Sequence, residues 1–442
     1  MREMKDSGIE LIGKIPASWC SIPLGNLVDS EKYAMVDGPF GSDLKNEEYV
    51  DAGIPIVQLN NIKPLHHSIN SLKYVTIEKA ISLSRHNAKA GDIVIAKMMP
   101  AGRSCILSDE YEKYVICADV IKASITDKIL KKYVCYCMNS YGMMVADMQS
   151  AGTTRARISL GLAKKMRILL PQDKNVKPLV EYLDRKCSAI DNIIAKQEQI
   201  IEKLKEYKLS LITEAVTKGL DSNVELKESN IEWVGQIPVH WSKIKLKYST
   251  YIRARLGWKG LKAEEYVETG YPLLSAFNII NSKVDFTENI NYINQDRYDE
   301  SPEIKLSESD ILLVKDGAGI GKCGIIEQLP IPSTTNGSLA VITTNDSLLP
   351  KYLYYYFLSS VFQKYIDRIK DGMGVPHLFQ SDLREIEIVI PDRMEQEAIV
   401  KELEKKIFYS DYKIKTIEEM MSRLKEYKKS IIYEVVTGKK EV

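Results

Sequence analysis

The run Asp316-Gly-Ala-Gly-Ile-Gly-Lys-Cys323 is the stretch whose residue types and spacing come nearest to a phosphate-binding loop. That loop requires Gly at 316 and Ser or Thr at 323, and here Asp and Cys stand in those places. Gly319-Ile-Gly-Lys-Cys-Gly324 has the glycine spacing of a dinucleotide site, yet Ile325-Ile-Glu-Gln-Leu-Pro330 follows it and is no helix N-terminus. No Asn-Pro-Pro-Tyr tetrapeptide of the amino-methyltransferase kind occurs. The chain is therefore expected to catalyse nothing by itself. Its seven cysteines (Cys20, Cys105, Cys117, Cys135, Cys137, Cys187, Cys323) are odd in number and scattered, and Cys135-Tyr-Cys137 lacks a second pair at zinc-ligand spacing. Reduced structural thiols are the expectation. His66-His67 reads as a lone surface pair, and no metal site is expected.

Length and composition bound what could position a site. A chain of 442 residues, 45% hydrophobic and 27% charged, has room for two or three domains with real cores and is no disordered composition. Apolar runs such as Ile93-Val-Ile-Ala96 and Ile311-Leu-Leu-Val314 are strand-sized, far short of the roughly 20 residues that span a bilayer. The N-terminus has no apolar core of a secretory signal, so no membrane partner and a cytoplasmic location are expected. Lys and Arg outnumber Asp and Glu over residues 20–171 (19 against 15) but not over 242–391 (17 against 19). Charge alone thus neither requires nor forbids a polyanionic partner.

Two long stretches organise the rest. From Val176 to Gly219 the apolar positions fall at a heptad period, with a at Val180, Cys187, Ile194, Ile201 and d at Leu183, Ile190, Gln197, Leu204. From Glu397 to Gly438 the pattern returns, with a at Val400, Ile407, Ile414, Met421 and d at Leu403, Ser410, Ile417, Leu424. Each ends on the same phrase, Leu204-Lys-Glu-Tyr-Lys208 and Leu424-Lys-Glu-Tyr-Lys428, with a Gly after the last turn. A helix of about 42 residues is about 60 Å long and cannot be buried in one domain, so each copy is the natural partner of the other. The repeat extends further. Ser7-Gly-Ile-Glu-Leu-Ile-Gly-Lys-Ile-Pro-Ala-Ser-Trp19 matches Ser229-Asn-Ile-Glu-Trp-Val-Gly-Gln-Ile-Pro-Val-His-Trp241, with Leu11 where the second copy has Trp233. Glu47 to Pro55 matches Glu264 to Pro272, and Gly91 to Lys97 matches Ser309 to Lys315.

The organisation expected is an opening segment (1–19), a first globular domain (20–171), a first helix (172–219), a linker with the repeated opening segment (220–241), a second globular domain (242–391) and a second helix (392–442). Short β-type runs mixed with helical ones give each globular part an α+β character, with an antiparallel or mixed sheet. The fold class is thus α+β: two similar domains separated by a long antiparallel coiled coil of two helices, a pseudo-twofold internal repeat.

These duplicated opening phrases, the matched strands Gly91-Asp-Ile-Val-Ile-Ala-Lys97 and Asp310-Ile-Leu-Leu-Val-Lys-Asp-Gly317, and the two helices with Leu-Lys-Glu-Tyr-Lys endings together resemble the specificity subunit of type I restriction-modification systems. The resemblance covers nearly the whole chain. It implies that each globular part is a target recognition domain, each helix a spacer, and the target a split double-stranded DNA sequence with two different half-sites. It also implies two methyltransferase subunits docked along the helices and restriction-translocase subunits joined to that core. No cofactor is expected on this chain; S-adenosylmethionine, ATP and Mg2+ are expected on the partners. A structural or adhesion scaffold, two ligand-binding modules on a coiled stalk, is the rival reading.

Reading DNA takes Lys and Arg for phosphates, and Arg, Asn or Gln at base edges. Candidate loops in the first domain carry Ser42, then Lys97 and Arg103, then Thr153, Thr154, Arg155 and Arg157. In the second domain the candidates are Arg253, Arg255 and Lys259, then Lys315 and Lys322, then Met373 and His377. Gln58, Asn60, Asn61 and Asn278 end matched strands; adenine contacts are open to them, but turn amides holding the framework are expected. The cluster Tyr352-Leu-Tyr-Tyr-Tyr356 is expected in the core. Lys208 and Lys428 fall at a positions, and with Leu211 and Ile431 they are expected where the coil opens to receive methyltransferase helices. If the helices act as a ruler, one helical turn inserted after Ile201, adding about 6 Å, lengthens the unread spacer between half-sites. Methylome sequencing that returned the original spacing would refute the ruler.

Overall fold

Ile93-Val-Ile-Ala96 and Ile311-Leu-Leu-Val314 are apolar without interruption because each strand is buried on both faces. Successive side chains of a strand point to opposite sides. Accordingly Ile93 and Ile95 join one core while Val94 and Ala96 join another, and Ile311 and Leu313 part from Leu312 and Val314 in the same way. The computed structural model describes residues 2–149, 157–255, 263–371 and 377–442. It divides into two units, Met1–Gln197 with Glu419–Val442, and Glu198–Glu418. Each unit therefore takes its globular part from one repeat and a helix end from the other.

In the first unit the central strand Ile93–Ala96 sits between Ser104–Ile106 and Val120–Ala123, and Met35–Asp37 closes an antiparallel sheet of four. A second sheet runs Lys73–Val75, Ile54–Val57, Lys113–Ile116, Asn87–Lys89, with 54–57 and 113–116 parallel. The second unit repeats this scheme. Ile311–Val314 lies between Cys323–Ile325 and Leu339–Thr344, Thr250–Arg253 pairs the far side of 339–344, and Tyr271–Leu274 runs parallel to Thr334–Thr335 in a separate sheet. Where sequence suggests a single sheet per domain, the described residues form two larger sheets besides two-stranded pairs, and the central strand, apolar on both faces, has a core on each side.

The long helices span Lys177–Lys218 and Arg393–Val436. The second begins four residues before the heptad pattern does. In the first unit Val180, Leu183 and Cys187 share a core with Ile431, Ile432 and Val435, and in the second Ile212 and Val216 share one with Ile399 and Leu403. With Asp191 against Lys428 in the first unit and Lys208 against Asp411 in the second, rising numbers on one helix meet falling numbers on the other, so the pairing is antiparallel. The heptad positions are the ones that lose solvent: Val180, Leu183, Cys187, Ile190, Ile201, Leu403 and Met421 are buried. Ser410, a polar d position, is buried too, and its hydroxyl donates to Lys406 O at 3.0 Å within its own turn. Gly219 and Gly438, at φ +78° and +67°, end the helices in the left-handed conformation glycine favours.

Burial also settles several single residues. His67 is buried rather than on the surface, its Nδ1 3.1 Å from Ser108 Oγ, and burial lowers its pKa. All seven cysteines are free, and burial pushes the Cys135 and Cys137 thiols up to about 12. Trp233 packs against Tyr365 with ring centroids 4.8 Å apart, whereas the matching place beside Leu11 in the first unit is an open groove of about 270 Å³. Among the described residues no helix is long and apolar enough to cross a membrane.

One contact is written twice. The Tyr133 hydroxyl is shared between Leu169 O (2.7 Å) and Val436 O (3.4 Å), and the Tyr352 hydroxyl between Val389 O (3.0 Å) and Val216 O (3.2 Å). Val436 O and Val216 O belong to last-turn carbonyls that a helix cannot satisfy internally. Each fully buried tyrosine thus ties the last strand of its domain to the end of the other repeat's helix. Tyr133→Phe and Tyr352→Phe are each expected to cost about 1–3 kcal/mol by leaving buried carbonyls short of a donor. Denaturant unfolding checks this, and wild-type stability in both variants would remove the hydroxyls from the account.

Candidate nucleic-acid interface

In the first unit, loops that are distant in sequence meet at one end of the four-stranded sheet. Lys97 follows the central strand; its N–H donates to Asp119 O at 2.8 Å and its carbonyl accepts from Ile158 N at 2.9 Å. Gly38 donates to Val120 O at 2.9 Å. A Cβ on Gly38 would stand 1.9 Å from Cys117 O, so only glycine permits this approach. The candidate loops at 38–42 and 97–103 and the residue Arg157 are thereby brought together.

Their cations are not equivalent. The Lys97 side chain is only 9% exposed, with Nζ 3.4 Å from Asp37 Oδ2 and donating to Ala118 O at 3.2 Å. It holds the strand ends. Arg157 is 2.9 Å from Asp119 through Nη2 and about half-exposed. Arg103 donates from Nη2 to Leu59 O at 2.8 Å, and burial lowers its pKa. Ser42 is exposed beside Asp43. Thr153, Thr154 and Arg155 lie outside the described residues.

The second unit uses the same backbone bonds. Lys315 N donates to Ser338 O and Leu378 N donates to Lys315 O, both at 2.9 Å, matching those at Lys97. The side chains around them differ. Lys315 pairs with its neighbour Asp316 at 3.2 Å, and Asp316 also pairs with His377. Arg253 is largely buried, 2.6 Å from Asp310 Oδ2 and donating to Thr343 Oγ1 at 2.7 Å. Burial raises the Asp310 pKa, opposed by the Thr343 hydroxyl and the Arg253 charge. Arg255 is half-buried, with Nε and Nη2 lacking a hydrogen-bond partner among the described residues, and burial lowers its pKa. Lys322 is exposed. Lys259 and Met373 lie outside the described residues.

Asn61 and Asn278 are buried turn amides. Asn61 Oδ1 accepts from Gln58 N at 2.9 Å, and Asn278 Oδ1 from Ser275 N at 2.9 Å. The tyrosines at 352, 355 and 356 are in the core. Sequence reasoning passed over two aromatic rings at these ends, Phe40 and Phe277, whose side chains stand almost wholly in solvent. The available signal was an aromatic inside a Gly/Pro loop and an aromatic in place of Asn60.

The helix residues need correction. Lys208 Nζ lies 2.7 Å from Asp411 in the second unit, and Lys428 Nζ lies 2.7 Å from Asp191 in the first. Each lysine clasps the opposite helix where an opening was expected, because antiparallel pairing sets an aspartate against it. Ile431 is buried in the first unit's core, and Leu211 is partly buried against the second unit's.

Comparison with known proteins adds to this geometry. Residues 259–419 match the family described as type I restriction modification DNA specificity domain. The chain is 24% identical over 375 residues to the type I restriction enzyme MjaVIII specificity subunit of Methanocaldococcus jannaschii, covering 84% of this chain and 81% of that one. It is 22% identical to the EcoKI specificity subunit of Escherichia coli, covering 96% of this chain and 90% of that one. In fold it is similar to a chain from a structure of type I R-M complex assembly and conformational transition (TM-score 0.67, 14% identity, 96% and 98% covered). It is similar also to the HsdS subunit from Thermoanaerobacter tengcongensis (TM-score 0.51, 14% identity, 96% and 98% covered).

Framework and surface cations separate by experiment. Arg253→Met leaves Asp310, whose side chain is 0% exposed, without its partner, and is expected to cost about 3–5 kcal/mol. Arg157→Ala breaks a half-exposed pair and is expected to cost less than about 1 kcal/mol. Equal losses in denaturant unfolding would contradict this division.

Proposed function

We propose that this chain is a specificity subunit of the type I restriction-modification kind, as its similarity to such subunits supports, and that it reads a bipartite, asymmetric duplex DNA sequence, one half-site per unit. It is non-catalytic itself. The observation that carries the reading is that both units bring the same loops to the same end of the central sheet on one set of backbone hydrogen bonds, with different side chains on them. A constant frame with variable side chains is what two different half-sites require. Phosphate contacts set position, and base-edge contacts set sequence. Arg157 and Ser42 in the first unit and Lys322 in the second are the exposed candidates for the former. Arg103 and Arg255, half-buried guanidinium groups at the loop ends, are the candidates for the latter.

The chain also scaffolds two methyltransferase subunits, with restriction-translocase subunits joining them, and S-adenosylmethionine, ATP and Mg2+ are handled by those partners. Apolar side chains exposed on the helices support a protein partner: Ile193, Met420 and Tyr427 in the first unit, and Ile200, Tyr207, Phe408 and Tyr412 in the second. Such groups gain by being covered.

Exchange of residues 20–171 for those of another family member tests the reading. The chimaera, assembled with its methyltransferase subunits, is expected to change one half-site in the methylome and keep the other. Loss of both half-sites, or retention of both, would overturn the assignment of one half-site to each unit.

A further inference from the structure

The turn that follows the parallel strand is built alike in the two units. After Ile54–Val57, the short helix Leu59–Asn61 is closed by Asn61, whose Nδ2 donates to Ser68 O at 3.0 Å and whose carbonyl accepts from Ser68 N at 2.8 Å. After Tyr271–Leu274, the short helix Ala276–Asn278 is closed by Asn278, whose Nδ2 donates to Glu288 O at 3.1 Å and whose carbonyl accepts from Asp285 N at 2.8 Å. Both closing amides are buried, at 0% and 1% exposure. The residue before each is held outward on this fixed base. In the first unit it is Asn60, exposed and without a hydrogen bond to any described residue; in the second it is Phe277, 83% exposed.

Each turn is wired to the candidate interface of its own unit. Leu59 O receives Arg103 Nη2, and Ala276 N donates to Ser338 Oγ at 3.1 Å, the same serine whose carbonyl receives Lys315 N. Single exposed apolar residues are common on protein surfaces and need no explanation. A phenylalanine ring in solvent on a rigid turn, at the position where its duplicate presents a carboxamide, is different. The repeat keeps the closing asparagine and its bonds to the backbone, and it changes the group presented.

We propose that positions 60 and 277 are equivalent base-reading positions, one in each half-site, with opposite chemistry. The Asn60 carboxamide accepts from N6 and donates to N7 of an adenine, and the Phe277 ring covers the C5-methyl group of a thymine, both in the major groove. The inference rests on the DNA-reading function proposed above and names residues for it.

The test is methylome sequencing of cells carrying the assembled complex with Asn60→Ala, Asn60→Asp or Phe277→Ala. Asn60→Ala is expected to lower discrimination at one base position of one half-site by about ten-fold or more, leaving the other half-site strict. Asn60→Asp keeps the size of the side chain but removes its donor, and is expected to lose adenine at the same position. Phe277→Ala is expected to relax one position of the other half-site alone. Variants that keep the wild-type sequence with unchanged strictness would overturn this inference and leave DNA reading intact. A wild-type complex with no split methylation sequence would instead overturn the underlying function, and the inference with it.

Discussion

The fold depends on a buried tyrosine hydroxyl that serves two backbone segments at once. The end of a helix leaves carbonyls without partners, and burying such an end in an apolar core is costly unless a donor is supplied. Tyr133 and Tyr352 supply it, and the same hydroxyl fixes the last strand of the globular part, at Leu169 and Val389. The helix end each receives comes from the other repeat. Around these points the apolar side chains Ile431, Ile432, Val435 and Val436 in one unit and Ile212, Ala215 and Val216 in the other complete a core that the globular part alone would leave open. Loops on such a frame can differ between the units because the frame beneath them is locked by contacts that both units share.

Much of that frame could be read from sequence, since it obeys short-range periodicities. The heptad seam foretold which faces of the helices are buried, and uninterrupted apolar runs marked strands buried on both sides. The lysine clasps could not be read that way. Lys208 looks like a misfit in its own heptad, and only the antiparallel partner, with Asp411 opposite, shows why a cation belongs there. The same holds for Lys428 and Asp191, 237 residues apart. Register between distant segments is a property of pairing, and a single stretch of sequence does not contain it. The division of each globular part into two sheets escaped for a related reason: it depends on which short strand pairs with which.

The candidate interface was readable at the level of loops and much less so at the level of side chains. Residue type suggested Lys97, Arg253 and Lys315 as DNA contacts, yet each is largely buried and engaged with a carboxylate. A cation at the end of a sheet strand meets acidic groups of neighbouring residues and strands before it meets solvent. Type gives the chemistry a side chain could do, and burial decides whether it is free to do it. Asn60 and Asn61 make the point in adjacent residues, one exposed and one closing a turn.

The acidic balance of residues 242–391 bears on the same distinction. Many of its charges cancel locally: Lys245 and Lys247 donate to Glu385, at 2.8 and 2.6 Å, and hold that carboxyl down to about 2, while Arg297 lies 3.1 Å from Glu265. Pairs of this kind contribute little field at a distance, because opposite charges a few ångströms apart cancel and salt screens the remainder within about 8–10 Å. A polyanion therefore responds to the unpaired groups at the loop ends and not to the sum over the domain. Exposed Lys322, with backbone N–H donors at the loop ends, is of the kind that positions a phosphate backbone whatever the sum of charge over the domain. A net negative recognition domain and DNA reading are thus compatible, and the contrast in charge between the two units is one more way in which a shared frame carries different surfaces.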